Sequence, residues 1–317
     1  MRVLVTGGAG YLGTVVCQTL AEAGHTVRCL DVCLPPPASL PHPKVEVFEA
    51  SVTCTPAVRS ALDGCQAVVH LAGLASDGAC QREPQLARAV NLDASLVLAR
   101  LARRAGCRRF VHASSASVYG NRDDGPQGED APTAPLSLYA RYKLQVEEAL
   151  NRAAGPDFEP VQLRQATLFG LAPRLRRDLV VNAMTREAAW GRAVVVRGGG
   201  GQWRPFVHVR DAARAVLAAL EAPAALVSGE VFNVAGAQAN LRIADVADLV
   251  RQVFPATPLV VAPDPPDPRS YRVACVKLPT VLGWRSRMSV ADGIRELATA
   301  LDRPGGVAAC VNWGFGH

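Results

Sequence analysis

The sequence is poor in aromatic residues and has no long apolar stretch. Phe, Trp and Tyr make up only 5% of its 317 residues. No apolar run approaches the roughly 20 residues that a transmembrane helix requires. Residues 1–6 enter a strand-like run without the charged leader, apolar core and cleavage site of a signal peptide. We therefore expect a cytoplasmic protein.

The cysteines lack the spacing of a metal site or a disulfide framework. There are nine of them, an odd number, and no two form a CxxC pair. Several lie inside apolar runs, which is typical of reduced, buried thiols. We predict neither disulfides nor a bound metal.

The positive charge does not take the form of a nucleic-acid interface. The chain carries 34 Lys and Arg against 28 Asp and Glu, a net charge of +6. The basic residues are mostly arginines spread thinly along the chain, and no basic stripe is interleaved with aromatic residues. We expect no nucleic-acid partner. A positive cleft for a diphosphate substrate accounts for part of the excess.

Short apolar runs of strand length alternate with helical patterns in the first half of the chain. Leu12, Val15, Val16 and Leu20 share one helical face, which Gly24 ends. Segments 84–105 and 139–153 also have helical patterns. Continuous apolar strands separated by helices predict a parallel sheet covered on both faces, the doubly wound, Rossmann-type α/β fold. The predicted strands lie at 3–6, 27–30, 45–48, 67–71, 110–113 and 161–163.

The regular alternation stops near residue 170, which predicts two domains. Residues 1–170 are expected to bind a dinucleotide, and 171–317 to form a smaller α/β substrate domain. Segment 204–236 is expected to pack back onto the first domain. Helices are predicted at 179–190, 211–220 and 290–301, and residues 303–317 are expected to form a loose end.

A glycine-rich loop lies between the first strand and the first helix. Gly8, Gly10 and Gly13 form a GxGxxG, and Gly7 adds an overlapping GxxGxxG. Such glycines allow a tight turn and a close approach of the backbone to a pyrophosphate at the helix N-terminus. Asp31 ends the second strand, where a carboxylate binds ribose hydroxyls and repels a 2′-phosphate. The sequence therefore predicts NAD rather than NADP.

Tyr139 and Lys143 form a YxxxK motif that predicts acid/base chemistry. Residues four apart share one face of a helix, so the ammonium of Lys143 can stabilise a tyrosinate. The pKa of a free tyrosine is about 10 and must fall by about 2–3 units for it to act near neutral pH. Ser115 follows a predicted strand, at the sheet edge where such folds bind ligands, and can hydrogen-bond the reacting oxygen.

With these motifs, the sequence resembles the extended short-chain dehydrogenase/reductase family of NAD-dependent nucleotide-sugar epimerases and dehydratases, in particular its UDP-galactose 4-epimerase-like members. The resemblance covers nearly the whole chain. The motifs that carry it are TGGAGYLG (6–13), HLAG (70–73), Asn91, SSASVYG (114–120), YARYK (139–143), LRQATLFG (163–170), RPFVHVRD (204–211) and FNVAG (232–236).

The resemblance implies roles for individual residues. Tyr139 is the acid/base, Lys143 holds the nicotinamide ribose, and Ser115 assists at the substrate oxygen. The sugar nucleotide is implied to contact Ser115, Ser117, Asn182, Arg204 and Arg269, the last three near its diphosphate. The implied NAD-binding residues are Gly7, Gly10, Tyr11, Leu12, Gly13, Asp31, Ser51, Val52, Leu71, Ala72, Gly73, Asn91, Ala113, Tyr139 and Lys143.

Two departures from the family pattern stand out. Ser51 replaces an aspartate that often follows the third strand and binds adenine. Ala116 and Ser117 replace the Asp-Glu pair of 4,6-dehydratases and the glutamate of decarboxylases. The Ala-Ser pair is similar to that of the 4-epimerases.

The favoured function is therefore epimerisation at C4 of a nucleotide sugar through a transient 4-keto intermediate. A net 4-dehydrogenase or 4-ketoreductase would use the same three residues. A non-catalytic NAD-binding regulator is a distant alternative, because such proteins usually lose the tyrosine and lysine. Family members often dimerise through the helices that correspond to 92–101 and 139–150, so a homodimer is expected.

Other motif residues have structural interpretations. His70 and His112 lie in apolar strands and are expected to be core histidines. His208 is not favoured as a ligand. The glycine run 198–201 is expected to form a surface turn, whereas Trp203 and Tyr271 are candidates for the sugar or base pocket, or for packing.

Overall fold

The computed structural model describes residues 1–33, 40, 42–122 and 124–302, so the expected loose end at 303–317 lies outside it. The strands are β1 (Arg2–Thr6), β2 (Thr26–Asp31), β3 (Val45–Glu49), β4 (Ala67–His70), β5 (Arg109–Ser115), β6 (Pro126–Gln127), β7 (Glu159–Gln165), β8 (Thr167–Phe169), β9 (Val194–Val196), β10 (Trp203–His208), β11 (Glu230–Val234), β12 (Asn240–Arg242), β13 (Leu259–Val261) and β14 (Arg272–Val273). The helices are α1 (Tyr11–Glu22), α2 (Thr55–Leu62), α3 (Asp77–Arg82), α4 (Pro84–Arg88), α5 (Ala94–Arg104), α6 (Leu138–Ala153), α7 (Val180–Ala189), α8 (Val209–Glu221), α9 (Ala224–Val227), α10 (Ile243–Val253), α11 (Lys277–Leu282) and α12 (Val290–Asp302).

A seven-stranded parallel sheet forms the centre of the protein. Its strand order is β11-β7-β5-β4-β1-β2-β3. The chain moves outward from β1 to β3 and then returns to β4 on the other side of β1. This reversal between β1 and β4 is the topological switch point at which doubly wound sheets bind ligands. The predicted Rossmann-type fold is confirmed, and each of the six predicted strands is present within one or two residues of its expected ends.

Apolar side chains cover both faces of the sheet. Val16 and Leu20 of α1 pack on one face together with Val216 of α8. Leu98 of α5 and Val146 of α6 pack on the other. The central strands β1 and β4 can be almost wholly apolar because both of their faces are covered, whereas the edge strand β3 is partly exposed.

The chain crosses between its two predicted domains more than once. β10 pairs with β8 and β12 in a separate three-stranded sheet. The following helix, α8, packs against α1, and β11 joins the edge of the central sheet beside β7. Much of segment 204–236 thus contacts the nucleotide-binding region. A division of the chain at residue 170 remains a prediction.

A second apolar core lies among the C-terminal elements. It contains Phe169 of β8, Val181 of α7, Phe206 of β10, Val246 of α10 and Ile294 of α12. The predicted helices at 179–190, 211–220 and 290–301 correspond to α7, α8 and α12. In the part of the chain that the structure describes, no helix is both long and apolar enough to cross a membrane.

The predicted helix over 84–105 is not continuous. Pro84 begins α4, a π-helical turn follows at Ala89–Asp93, and α5 completes the segment. A π turn accommodates one extra residue and is common at functional sites. Here it brings Asn91 and Ser95 into the protein interior, where the Ser95 hydroxyl donates to the Asn91 carbonyl over 2.9 Å. Apolar periodicity could not reveal this change of helical phase.

Candidate active site

The glycine-rich loop connects β1 to α1 at the switch point of the sheet. Gly7 has a φ of +71°, and its carbonyl accepts the Gly10 amide over 3.0 Å. A Cβ on Gly13 would lie 2.0 Å from that carbonyl oxygen. The first helical hydrogen bond runs from the Thr14 amide to the Gly10 carbonyl, so the preceding amides, including that of Leu12, point out of the helix end. Such an end attracts phosphate oxygens.

Asp31 lies beside this loop, at the end of β2. One carboxylate oxygen accepts the Ala9 amide over 3.1 Å, and the other accepts the Cys33 amide over 3.3 Å. The carboxylate is therefore fixed near the loop and remains partly exposed. A pyrophosphate cradle followed by this carboxylate has the chemistry that an adenosine ribose and diphosphate require.

Ser51 and Val52 occupy the turn after β3. The Ser51 hydroxyl accepts the Thr53 amide over 3.2 Å and lies 2.7 Å from the Thr53 hydroxyl. Val52 is buried in the core. The Ser51 hydroxyl stands where the family pattern has a carboxylate, and it forms its hydrogen bonds within its own turn.

Asn91 braces the loop that follows β4. It is only 2% exposed, its side-chain oxygen accepts the Leu74 amide over 2.8 Å, and its nitrogen donates to the Leu74 carbonyl over 3.1 Å. The same loop contains Leu71, Ala72 and Gly73, and a Cβ on Gly7 would lie 2.7 Å from the Ala72 nitrogen. Asn91 therefore joins the loop after β4 to the π-helical turn at Ala89–Asp93. Ala72 of the same loop packs closely against Gly7 of the glycine-rich loop.

Helix α6 brings the predicted catalytic residues together at the end of β5. The Ser137 hydroxyl caps the helix by accepting the Ala140 amide over 3.2 Å. The Tyr139 hydroxyl lies beside the Ser115 side chain, which lowers the pKa of Tyr139. The Lys143 ammonium donates to the Ala113 carbonyl over 2.7 Å and lies 5.8 Å from the centre of the Tyr139 ring.

The buried surroundings of Tyr139 and Lys143 favour the uncharged form of each side chain. Burial raises the pKa of Tyr139, and the Arg176 guanidinium and the Ser115 hydrogen bond partly offset this effect. Burial lowers the pKa of Lys143 to about 8. Lys143 therefore keeps its proton at neutral pH, but with a small margin. A cation at this position would stabilise a tyrosinate at Tyr139.

Ser117 extends the hydroxyl pair at the end of β5. Its hydroxyl lies 2.8 Å from that of Ser115, and its amide donates to the Ser115 hydroxyl over 3.2 Å. Ala116, between them, is fully buried. The two hydroxyls form a hydrogen-bonding pair beside Tyr139 and provide no carboxylate.

Arg204 and Arg269 are held together by one carboxylate. Asp267 accepts from Arg204 over 2.9 Å and from two nitrogens of Arg269 over 2.7 and 2.9 Å. Arg269 also forms an ion pair with Asp77 of α3. These contacts place two of the three residues expected near a diphosphate side by side.

Asn182, the third of those residues, bonds elsewhere. It is 2% exposed, accepts the Gly170 amide over 3.0 Å and donates to the Arg176 carbonyl over 2.9 Å. It also donates to the Tyr11 hydroxyl over 3.3 Å. Its amide is therefore occupied in holding the segment between β8 and α7 against Tyr11 of the glycine loop.

Two charged residues that the motifs do not single out also border the site. Asp77 pairs with Arg269, and its negative charge raises the pKa of Tyr139. Arg176 donates to the Ala75 carbonyl over 3.1 Å and pairs with Asp178. Arg176 lies in the arginine-rich segment 174–177, and neither residue belongs to a motif from which its place at the site could be predicted.

His70 and His112 are buried in the core and form hydrogen bonds there. His70 bonds Thr6 over 2.7 Å and Ser95 over 2.8 Å, and burial lowers its pKa to about 3. His112 is equally buried and bonds Gln162 over 3.1 Å. The prediction of core histidines is confirmed. No cluster of three or more metal-binding side chains occurs within the described ranges.

His208, Trp203 and Tyr271 lie in β10 or just before β14, outside the central sheet. His208 is buried and lies 2.9 Å from a carboxylate oxygen of Glu296, so it joins β10 to α12. The Trp203 ring lies between two arginines, at 5.0 and 5.1 Å. Tyr271 is buried with the Arg204 guanidinium 5.5 Å from its ring, next to the arginine pair.

Together the fold and the site define a doubly wound nucleotide-binding protein with a tyrosine and a lysine close together at the carboxyl end of β5. Residues 3–235 match the model of the NAD dependent epimerase/dehydratase family, and the chain belongs to this family. The expected family and its dependence on NAD are thereby confirmed.

Named relatives match along nearly the whole chain. UDP-glucose 4-epimerase of Mycolicibacterium smegmatis is 31% identical over 93% of this chain and 97% of its own. A structure of the Thermotoga maritima UDP-glucose 4-epimerase with UDP-glucose has a TM-score of 0.85 and 27% identity, and covers 94% of this chain and 98% of that one. The Thermus thermophilus UDP-glucose 4-epimerase complex with NAD has a TM-score of 0.84 and 27% identity, over 95% and 99%.

Proposed function

We propose that this protein is an NAD-dependent nucleotide-sugar epimerase that inverts C4 through a transient 4-keto sugar. The observation that carries the proposal is the grouping of Tyr139, Lys143 and Ser115 at the end of β5, where Ser115 lies beside the Tyr139 hydroxyl and the Lys143 ammonium lies 5.8 Å from the Tyr139 ring centre. The matches to UDP-glucose 4-epimerases over more than nine-tenths of the chain support it.

The residues at the switch point fit NAD. The amides at the start of α1 would hold the diphosphate, Asp31 would accept the adenosine ribose hydroxyls, and Lys143 would contact the nicotinamide ribose. When bound, NAD supplies the hydride acceptor and donor that the reaction needs. A cofactor held on this loop through both half-reactions permits epimerisation without net redox.

Tyr139 acts as the general base and then as the general acid. Its hydroxyl accepts the proton of the sugar C4 hydroxyl while Ser115 orients the same oxygen. Lys143 holds a positive charge beside the developing tyrosinate. After the keto sugar turns over in the pocket, Tyr139 returns the proton to the C4 oxygen on the other face.

The residues after Ser115 favour epimerisation over elimination. A 4,6-dehydratase must also remove a proton from C5, which requires a second acid/base group. Ala116 has no such group, and the Ser117 hydroxyl is bonded to Ser115. A net 4-dehydrogenase remains the competing proposal, because its site would be the same.

The substrate we propose is a nucleoside diphosphate sugar. Arg204 and Arg269 lie together with Asp267 and offer two guanidinium groups for a diphosphate. We further propose that the protein is a cytoplasmic homodimer formed through α5 and α6.

The test is turnover of UDP-glucose and UDP-galactose, with absorbance followed at the wavelength of NADH. We expect each sugar to form the other, with no accumulation of NADH. Tyr139→Phe should lose about 10²–10⁴-fold in kcat, because general acid/base catalysis contributes about that much. Tyr142→Phe, which alters a neighbouring tyrosine on the same helix, should stay near the wild-type rate. Accumulating NADH with a keto product would favour the dehydrogenase.

A further inference from the structure

Helix α6 contacts three consecutive residues of β5 through side chains spaced four apart. Tyr139 lies beside Ser115, Lys143 donates to the carbonyl of Ala113, and the carboxylate of Glu147 accepts the Ser114 hydroxyl. The first two contacts belong to the proposed catalytic site. The third lies one helical turn beyond Lys143 and is not explained by that chemistry.

Glu147 is built into the interior. It is 2% exposed, and Arg164 of β7 donates to its carboxylate through Nε over 3.2 Å and Nη2 over 2.9 Å. The other terminal nitrogen of Arg164 donates to the Tyr119 hydroxyl over 3.0 Å. An isolated buried carboxylate would be strongly unfavourable, so the Arg164 partner is what permits a charge here.

We propose that Glu147 is a positioning residue, which fixes α6 against the end of β5 and holds the proton on Lys143. This inference rests on the proposed function, in which a charged Lys143 faces the tyrosinate. Because Glu147 and Lys143 contact adjacent residues of β5, a loss of the Glu147 contact loosens the register that brings Tyr139 to Ser115. Because Glu147 is an anion one turn away, its loss also removes a counter-charge.

The other groups around Lys143 do not replace this counter-charge. His70 of β4 and His112 of β5 both have lowered pKa values because of burial, and each interacts with Lys143 as a neutral ring at neutral pH. Cys80 of α3 also faces Lys143, but burial raises the pKa of its thiol. Burial lowers the pKa of Lys143, whereas Cys80 and Glu147 raise it. Glu147 is the one carboxylate among these groups.

The test compares Glu147→Gln with Glu148→Gln, its exposed neighbour on the same helix. We measure kcat/KM for UDP-glucose from pH 6 to pH 10. The Glu147→Gln variant should lose activity on the alkaline side at a pH about one unit lower than the wild type, since a nearby opposite charge shifts a pKa by about 1–3 units. Glu148→Gln and the charge-conserving Glu147→Asp should keep the wild-type pH profile. Below pH 7, the KM of Glu147→Gln for UDP-glucose should differ little from that of the wild type.

An unshifted alkaline side in a folded Glu147→Gln variant overturns the proposal. If this variant does not fold, Glu147→Gln with Arg164→Gln removes both buried charges. Its alkaline side should move in the same direction but by less, because the loss of the Arg164 cation opposes the loss of the Glu147 anion. The pH dependence of unfolding gives a readout independent of turnover. The unfolding free energy should begin to rise with pH about one unit lower without Glu147, because the native lysine releases its proton earlier. Absence of turnover in the wild type would contradict the proposed function alone.

Discussion

At the scale of single residues, the reactivity of Tyr139 depends on charges held close to it in a buried site. Burial raises the pKa of its hydroxyl, as does the carboxylate of Asp77, and the Arg176 guanidinium opposes both. Lys143 adds a second cation, but its own pKa is lowered to about 8. The balance between these charges should therefore set the pH range of activity.

The lysine makes this range testable. As pH rises through about 8, Lys143 loses its proton, and we expect kcat/KM to fall by up to tenfold per pH unit. Lys143→Arg keeps a charge at all these pH values. It should lower the rate, because the fork of an arginine does not match the site, but its activity should not fall on the alkaline side below pH 10. A decline that stays near pH 8 in this variant would assign it to another group.

The same charges affect stability with a definite sign. The native pKa of Lys143 lies below that of an unfolded lysine, about 10.5, so burial of the charged form costs free energy at neutral pH. Between pH 8 and about 10.5 the unfolded chain binds more protons, and the contribution of Lys143 to stability rises with pH.

The sequence predicts those site residues whose positions follow from local spacing. Tyr139 and Lys143 share a helical face, and Ser115 ends a strand that α6 covers. Asp77 and Arg269 meet only because the chain folds residues far apart in sequence into one cleft. No local pattern encodes such a pair. For the same reason, the hydrogen bond from Asn182 to the Tyr11 hydroxyl could not be predicted from the sequence.

At the scale of secondary-structure elements, the glycine loop is shaped by steric limits. Gly13→Ala would place a Cβ 2.0 Å from the Gly7 carbonyl oxygen, so the loop must move. We expect at least about tenfold less NAD to remain bound, because the amides would no longer converge on the diphosphate.

The measurement is the amount of nucleotide released on denaturation per mole of purified protein. Gly128→Ala is the matched control, since a Cβ there meets no atom within 4 Å among the described residues. Equal retention of NAD by both variants would show that the loop does not hold the cofactor.

The strands were predictable because each contains a short run rich in apolar residues. The π turn at Ala89–Asp93 was not, because it depends on the tertiary contacts of Asn91 with the loop after β4. The short sheets that involve β6, β9, β13 and β14 were also missed, since strands of two or three residues give little periodic signal.

At the scale of the whole molecule, the faces of α5 and α6 are expected to join two copies of the chain. Val97 of α5 is partly buried at the edge of the core beneath these helices. Val97→Arg should convert a dimer to a monomer in light scattering, because a buried charge in an interface lacks a partner. Val195→Arg, at a valine that is 40% exposed on β9, is the matched control and should leave the mass unchanged. A wild-type monomer at micromolar concentration would contradict the proposed dimer.

In the proposed function, the central sheet and the elements around β10 have different roles. The parallel sheet would provide the cofactor loop and the acid/base pair, whereas β10 and the segment before β14 would provide the paired arginines. Because the chain passes between these two parts several times, they are tied by buried contacts rather than by one linker. The Asn182 and Tyr11 hydrogen bond is one such tie.

The most direct test of the central claim is the fate of the hydrogen at C4. The enzyme would be given UDP-glucose carrying deuterium at C4 in ordinary water, and the galactose product would be analysed by mass spectrometry and NMR. The account predicts that the deuterium remains at C4 of the inverted sugar, because the same hydrogen leaves and returns within one site. Loss of the deuterium to water would contradict the 4-keto mechanism.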